Sequence, residues 1–258
     1  MINTISKRNT RVSYSAEEHE TWKILLQKQL PNLKERACHH YLQGLELLAL
    51  PEDRIPQLSD LNGVLKQHGS WTLEPVASLI PPNQFFSMLA RRKFPVATFI
   101  RRRDELDYVN EPDIFHEIVG HCPMLMHAPY ADFLQRYGQE ALQVTDEQRA
   151  ALERLFFFTI ETGLIHTPNG LRIYGGGILS SYQESIYSLD SSIPTRKTLD
   201  VAEIINTEYS LDNMQSVYYV IDDFETLYKL LNIPCADEFS IDFNRQLRYK
   251  FTGLLFKD

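Results

Sequence analysis

Cysteine is scarce in this sequence, and long apolar runs are missing from it. The chain has three cysteines, Cys38, Cys122 and Cys235, an odd number without a paired spacing. Cys-x-x-Cys does not occur, which argues against a thiolate zinc site. The N-terminus has no secretory segment, and no apolar run is long enough to cross a bilayer. These absences predict reduced thiols, a cytoplasmic protein and no membrane partner.

An excess of positive charge is also lacking. Lys and Arg number 26 against 34 Asp and Glu, which gives a formal net charge of -8. Two basic runs, Arg91–Lys93 and Arg101–Arg103, are short and lie among apolar residues. Because nucleic-acid affinity comes largely from the neutralisation of phosphates, this balance predicts no nucleic-acid partner. Repeats, low-complexity segments and breaks in composition are absent as well, so we expect one domain over residues 1–258.

The periodicity of apolar residues favours helix over most of the chain, and the predicted fold class is mostly α with minor β. Ser15 and Thr145 each begin a sequence typical of a helix capping box. The predicted helices are 15–30 (ending before Pro31), 33–48, 59–67, 81–91, 112–121, 129–142, 145–165, 178–189 and 224–231. The predicted strands are 94–101, 171–174 and 201–206, followed by a C-terminal strand or irregular tail.

The most informative segment is 111–121, because it holds two histidines five residues apart. On a regular α-helix this spacing turns the two side chains about 140° away from each other. His116 and His121 can therefore share a metal ion only if the helix ends or distorts. Gly120 permits unusual backbone angles, and Pro123 disfavours the α conformation in the residue before it. We therefore predict that the helix frays near His121 and that its ring turns back toward His116.

A carboxylate within an apolar run supplies a third candidate ligand. Glu161 follows 40 residues after His121, and helical spacing places Phe157 and Phe158 on its flank. A buried carboxylate is costly unless it is paired or bound to a cation. Two histidines and one carboxylate form a face that binds Fe(II) and leaves positions open for oxygen. Structural histidines, and a Glu161 that faces solvent or meets an arginine, are the alternatives.

Three motifs in one order resemble a known family. They are Glu-Pro-Asp-x-x-His-Glu-x-x-Gly-His, a later Phe-Thr-x-Glu, and Tyr-Gly-Gly-Gly-Ile-Leu-Ser-Ser-Tyr. Their order and spacing resemble those of the pterin-dependent aromatic amino acid hydroxylases, most strongly over residues 81–184. The resemblance implies a helical, basket-shaped catalytic fold with a catalytic iron held by His116, His121 and Glu161. It also implies a tetrahydropterin cofactor, O2 as cosubstrate and a free aromatic amino acid as substrate.

The resemblance implies roles for further residues. Arg101 matches the arginine that binds the substrate carboxylate, which a guanidinium can do through two parallel hydrogen bonds. Phe85 matches the aromatic residue on which the pterin stacks, and Glu117 matches a carboxylate near the pterin. Asp113 matches a residue beside an iron-binding histidine, where it could orient a ligand ring or cap the helix. The residues that match the lining of the substrate site are Phe157, Gly177, Ser180 and Glu184.

The length of the chain resembles that of bacterial family members, which convert phenylalanine to tyrosine. We expect a single catalytic domain without a regulatory domain or an oligomerisation helix, present as a monomer or weak homodimer. Phe157 stands where the phenylalanine-hydroxylating members usually carry tryptophan, and the tryptophan-hydroxylating members resemble this chain there. Tryptophan is therefore the alternative substrate.

Two readings outside this family remain open from the residues alone. In a zinc hydrolase, Glu117 would act as the base, but the zinc motif His-Glu-x-x-His is absent. In a non-catalytic helical interaction domain, the histidines would be structural. The expected burial of Glu161 counts against this last reading.

Overall fold

The computed structural model describes residues 11–77, 79–106, 111–211 and 213–230. The α-helices are α1 Ala16–Arg36, α2 His39–Leu48, α3 Leu58–His68, α4 Pro82–Leu89, α5 Ala128–Ala141, α6 Asp146–Phe156, α7 Gly176–Ser180, α8 Tyr182–Asp190, α9 Val201–Ile204 and α10 Phe224–Leu230. The strands are β1 Thr72–Val76, β2 Lys93–Ala97, β3 Leu164–Thr167, β4 Gly170–Ile173, β5 Thr195–Thr198 and β6 Val217–Ile221. The predicted class, mostly α with minor β, is confirmed. The predicted C-terminal strand or tail lies outside the described residues.

Two small sheets accompany the helices. Strands β1 and β2 pair in parallel, and the second sheet has the order β4-β3-β6-β5. Within it, β4 runs antiparallel to β3, whereas β6 is parallel to both β3 and β5. In the part of the chain that the structure describes, no helix is both long enough and apolar enough to span a membrane.

The predicted end of the first helix at Pro31 is wrong. Helix α1 continues through Pro31 to Arg36, although proline removes one backbone hydrogen bond from a helix interior. Leu33 is fully buried beyond the proline, and Gln29 just before it donates to the carbonyl oxygen of Leu179. Burial on both sides of Pro31 therefore outweighs the lost bond. The break comes instead at the extended Ala37.

Four other predicted elements need correction. The helix predicted over 145–165 leaves regular α geometry after Phe156, and its last residues belong to β3. The helix predicted over 178–189 is two helices that divide at Ser181. The strand predicted over 201–206 is the short helix α9, which Asp200 caps by accepting a hydrogen bond from the backbone of Glu203. The strand predicted over 94–101 ends at Ala97, and β1, β5 and β6 were not predicted.

Close packing of α2 holds the segment that follows the histidine pair. A short 3-10 turn, Cys122–Met126, packs against α2 at Gly44. A Cβ atom at Gly44 would lie 2.1 Å from the carbonyl oxygen of Pro123, which is closer than any real contact. Glycine is therefore required at this crossing, and the crossing fixes the backbone next to His121.

Two glycine substitutions test this packing. We expect Gly44→Ala to lower the free energy of unfolding by about 1–3 kcal/mol, because the added methyl group overpacks the contact with Pro123. Gly63 lies in the interior of α3 with nothing near its Cβ position, so Gly63→Ala should raise stability by about 0.5–1 kcal/mol. Urea unfolding measures both changes in the free energy of unfolding, provided that its dependence on urea concentration stays the same. Equal effects of the two changes would contradict the proposed crossing.

Candidate active site

The predicted histidine ligands lie together on a π-helical segment, His116–His121. A π-helix pairs each residue with the fifth residue along, so side chains five apart come to the same side. The Nε2 atoms of His116 and His121 are accordingly 3.1 Å apart. The predicted distortion is present, but it is a change of helix type and not fraying. Cys122 also keeps helical angles (φ -58°, ψ -38°), so the expected effect of Pro123 on it is wrong.

A second π-helical segment, Phe157–Glu161, continues α6 and carries the third predicted ligand. Its pattern is visible in the hydrogen bond from the Thr162 N–H to the Phe157 carbonyl, five residues back. Glu161 Oε1 lies 3.3 Å from His121 Nε2, and Oε2 lies 3.7 Å from His116 Nε2. Among the described residues, these three form the only group of three or more His, Cys, Asp or Glu with donor atoms close enough to hold a metal ion.

The donor atoms of this group fit a metal ion. Ser180 Oγ donates to the Gly177 carbonyl at 3.1 Å and lies 2.9 Å from His116 Nδ1. Ser180 must then accept a hydrogen bond from Nδ1, which leaves the lone pair of His116 on Nε2, facing Glu161. The donor atoms lie 3.1 to 3.7 Å from one another, so His116, His121 and Glu161 would hold one metal ion between them.

Helix α7 confines the second histidine. A Cβ atom at Gly176 would lie 2.3 Å from Cε1 of His121, and one at Gly120 would lie 2.5 Å from the Gly176 carbonyl oxygen. Gly120 is thus required by a close approach between backbones, more than by unusual backbone angles. Gly176 was not predicted as a site residue, and its only sequence signal is the run of three glycines.

The electrostatics of the site suit a cation. Burial lowers the pKa of His116 to about 4, with Glu161 opposing and His121 assisting. Burial alone would raise the pKa of Glu161, but the neighbouring His121 and His116 and the Gly177 N–H hold it at about 2. At neutral pH the site therefore offers a neutral His116 and a charged Glu161, the forms in which these groups bind metal.

A buried ion pair supports the ligand helix. The Nε and Nη2 groups of Arg101 donate to Asp113 at 2.9 and 2.8 Å, and the Arg101 backbone N–H also donates to it. Asp113 accepts a further hydrogen bond from the backbone N–H of His116 at 3.0 Å. Asp113 was expected either to orient a ligand ring or to cap the helix. Its hydrogen bond to the His116 backbone shows that it caps the turn. Only Nη1 of Arg101 is left unengaged by Asp113.

The two residues assigned to the pterin lie on the flank of α4 and on the first π segment. Phe85 is half-buried and meets Phe156 edge to face, with ring centroids 5.5 Å apart. Burial raises the pKa of Glu117 well above its usual value, and the nearby Glu161 and Asp113 act in the same direction. Glu117 therefore keeps its proton to a higher pH than an exposed glutamate does.

The residues assigned to the substrate have partners that were not predicted. Phe157 stacks on Tyr209, with ring centroids 4.1 Å apart and planes 21° apart. Glu184 accepts a hydrogen bond from the Tyr218 hydroxyl at 2.8 Å, and burial raises its pKa. Tyr209 lies in a polar loop with no motif, whereas Tyr218 lies in the fully buried β6, whose apolar run was a readable signal.

Known proteins are similar to this chain over most of its length. Residues 4–252 match the family described as biopterin-dependent aromatic amino acid hydroxylase. The chain is 47% identical over 219 residues to phenylalanine-4-hydroxylase of Vibrio cholerae, covering 85% of this chain and 76% of that protein.

Solved structures are similar over most of their length. Phenylalanine hydroxylase from Legionella pneumophila is 43% identical with a TM-score of 0.89, covering 95% of both chains. The Chromobacterium violaceum enzyme with bound oxidized Fe(III) is 44% identical with a TM-score of 0.84, covering 86% of this chain and 82% of that one.

The hydrogen bond between Ser180 and His116 can be tested by removing the hydroxyl. We expect Ser180→Ala to weaken Fe(II) binding by about 10–100-fold, because His116 loses the partner that orients its ring. Ser188→Ala is the matched control, since the Ser188 hydroxyl is buried without a hydrogen-bond partner among the described residues. Titration of metal-free protein with Fe(II) gives both affinities. Unchanged affinity in Ser180→Ala would remove this residue from the metal site.

Proposed function

We propose a function from one premise: the chain belongs to the biopterin-dependent aromatic amino acid hydroxylases. Its activity is the hydroxylation of free phenylalanine to tyrosine, with O2 as cosubstrate and with Fe(II) and a tetrahydropterin as cofactors. The observation that carries the proposal is the convergence of His116, His121 and Glu161 on one point. Two histidines and a carboxylate on one face are the ligand set of non-haem Fe(II) oxygenases.

The protein itself binds, orients and shields the reactants. When bound, Fe(II) and a tetrahydropterin would supply the electrons that reduce O2, so that one oxygen atom reaches the aromatic ring and the other reaches the pterin. His116, His121 and Glu161 would hold the metal, and a set of three ligands would leave positions open for O2. His116 has to stay neutral to bind metal, so it does not serve as a general base.

Substrate recognition falls to Arg101 and to the residues around α7. The unengaged Nη1 of Arg101 can donate to the substrate carboxylate, while Asp113 keeps the guanidinium in place. Gly177 and Ser180 lie beside Glu161 and His116 respectively, so they border the metal-facing side of the substrate site. Glu184 and Phe157 complete the proposed lining.

The pterin is assigned to Phe85 and Glu117. Stacking of a flat heterocycle on an aromatic ring contributes about 1 kcal/mol beyond the buried area. Glu117 presents a carboxyl group to the polar edge of the pterin, and its raised pKa favours the protonated form, which has both a donor and an acceptor. The half-buried position of Phe85 leaves part of its ring accessible for this contact.

Phenylalanine is favoured over tryptophan as substrate. Relatives at 43–47% identity are named for phenylalanine hydroxylation. Phe157, in place of the expected tryptophan, is the one observation that favours tryptophan as a second substrate. Family membership argues against the zinc hydrolase and the interaction domain.

A substrate panel tests the proposed reaction. With Fe(II), a tetrahydropterin and O2, the purified protein should form tyrosine from phenylalanine at a higher kcat/KM than it shows for tryptophan. Glu161→Gln should lose both iron and turnover, because the amide carries no charge to balance the cation. Glu203→Gln, which changes an exposed glutamate paired with Lys197, should keep both. The assignment fails if none of phenylalanine, tyrosine and tryptophan is hydroxylated.

The role of Arg101 needs a separate substitution. Arg101→Lys keeps a positive charge beside Asp113 but loses the planar fork, so we expect the KM for phenylalanine to rise about ten-fold or more with iron content retained. Arg102→Lys is the matched control, because the Arg102 side chain is 73% exposed. If the KM of Arg101→Lys equals that of the control, Arg101 acts only as the partner of Asp113.

A further inference from the structure

One face of Phe157 is covered by a ring from a distant part of the chain. Tyr209 stacks on it at a centroid distance of 4.1 Å and meets Phe158 edge to face at 6.1 Å. Phe157 nevertheless remains partly exposed, so some of its surface is available to a ligand. Phe157 also begins the π segment that ends in Glu161. The stack thus lies four residues from a metal ligand.

The backbone before Tyr209 is fixed by Thr207. The Thr207 hydroxyl lies 2.8 Å from the Tyr219 hydroxyl and donates to the Glu203 carbonyl at 2.8 Å. Burial and the nearby Glu153 raise the pKa of Tyr209, which is consistent with its hydroxyl facing α6. The hydrogen bonds of Thr207 therefore fix the backbone on the N-terminal side of Tyr209.

The backbone after Tyr209 is closed by a single side chain. Gln215 is 5% exposed, and its Nε2 donates to the carbonyl oxygens of Ser210 at 2.6 Å and Asn213 at 3.0 Å. Its Oε1 accepts from the Ser210 N–H at 3.1 Å. The Gln215 backbone also lies near Glu184, which accepts a hydrogen bond from the Tyr218 hydroxyl at 2.8 Å. Gln215 therefore lies beside α8 while its side chain holds Ser210 and Asn213.

We propose that Tyr209 is a positioning residue, which fixes the plane of the Phe157 ring and so sets the width of the pocket for the substrate ring. This inference rests on the proposed function, because it takes Phe157 to border the substrate. With Tyr209 in place, Phe157 cannot rotate toward the loop. Without it, the phenyl ring can turn into the vacated space, and the pocket widens enough to admit a bicyclic ring more readily.

Three variants test the proposal. Tyr209→Leu removes the stack, Tyr209→Phe keeps it without the hydroxyl, and Tyr228→Leu is a control at an exposed tyrosine on α10. We expect Tyr209→Leu to reduce the preference for phenylalanine over tryptophan, measured as the ratio of kcat/KM values, by about five-fold. The change should lie mainly in KM, and iron content should stay the same. Tyr209→Phe and Tyr228→Leu should keep the ratio of the unaltered chain.

A second substitution guards against a folding defect. Gln215→Glu places an oxygen opposite the carbonyls of Ser210 and Asn213, so it should release the loop and shift the ratio in the same direction while Tyr209 is retained. A ratio within two-fold of the unaltered chain in the folded variants overturns the proposal. Calorimetric binding of phenylalanine and tryptophan to the Fe(II)-loaded protein gives a ratio of dissociation constants, which should shift in the same direction without any turnover. If the unaltered chain binds both amino acids but hydroxylates neither, the proposed function fails while the positioning role is still decided.

Discussion

A single buried carboxylate joins the parts of the site. Asp113 accepts hydrogen bonds from the Arg101 backbone, from two nitrogens of the Arg101 guanidinium and from the N–H of His116. The segment after β2 is thereby tied to the turn that carries both histidines. The Asp113 side chain is fully buried. Loss of Arg101 would therefore leave its charge uncompensated, at a cost of about 3–5 kcal/mol of stability. The positions of the two histidines and of Arg101 therefore depend on the same ion pair.

The second constraint is the change of helix type at both ligand segments. Regular α-helices would place His116 and His121 on different sides and would alter the direction of Glu161. Close packing holds the altered geometry, because α7 contacts both π segments and approaches Gly120 too closely for any side chain there. The site is therefore a product of packing around α7 as much as of the ligand residues themselves.

The sequence contained enough to predict the fold class and the three residues that converge in the candidate metal site. Two histidines five residues apart and a glutamate within an apolar run carry chemistry that few structural roles need, and the capping boxes at Ser15 and Thr145 mark helix starts by local hydrogen bonds. Two features could not be predicted from the sequence, because they depend on contacts between distant segments. Helix α1 passes Pro31 because of burial beyond it, and Tyr209 meets Phe157 across 52 residues of chain. No local pattern encodes either contact.

The five-residue interval between the histidines also determines which changes in chain length this site can accept. Removal of one residue between His116 and His121 would give the four-residue interval that suits a regular α-helix, so the rings could still meet. Every residue from position 122 onward would then be displaced against α2, where Gly44 leaves no room beside Pro123. The length of this stretch is therefore fixed from both ends, and insertions or deletions within it are disfavoured even when both imidazoles are retained.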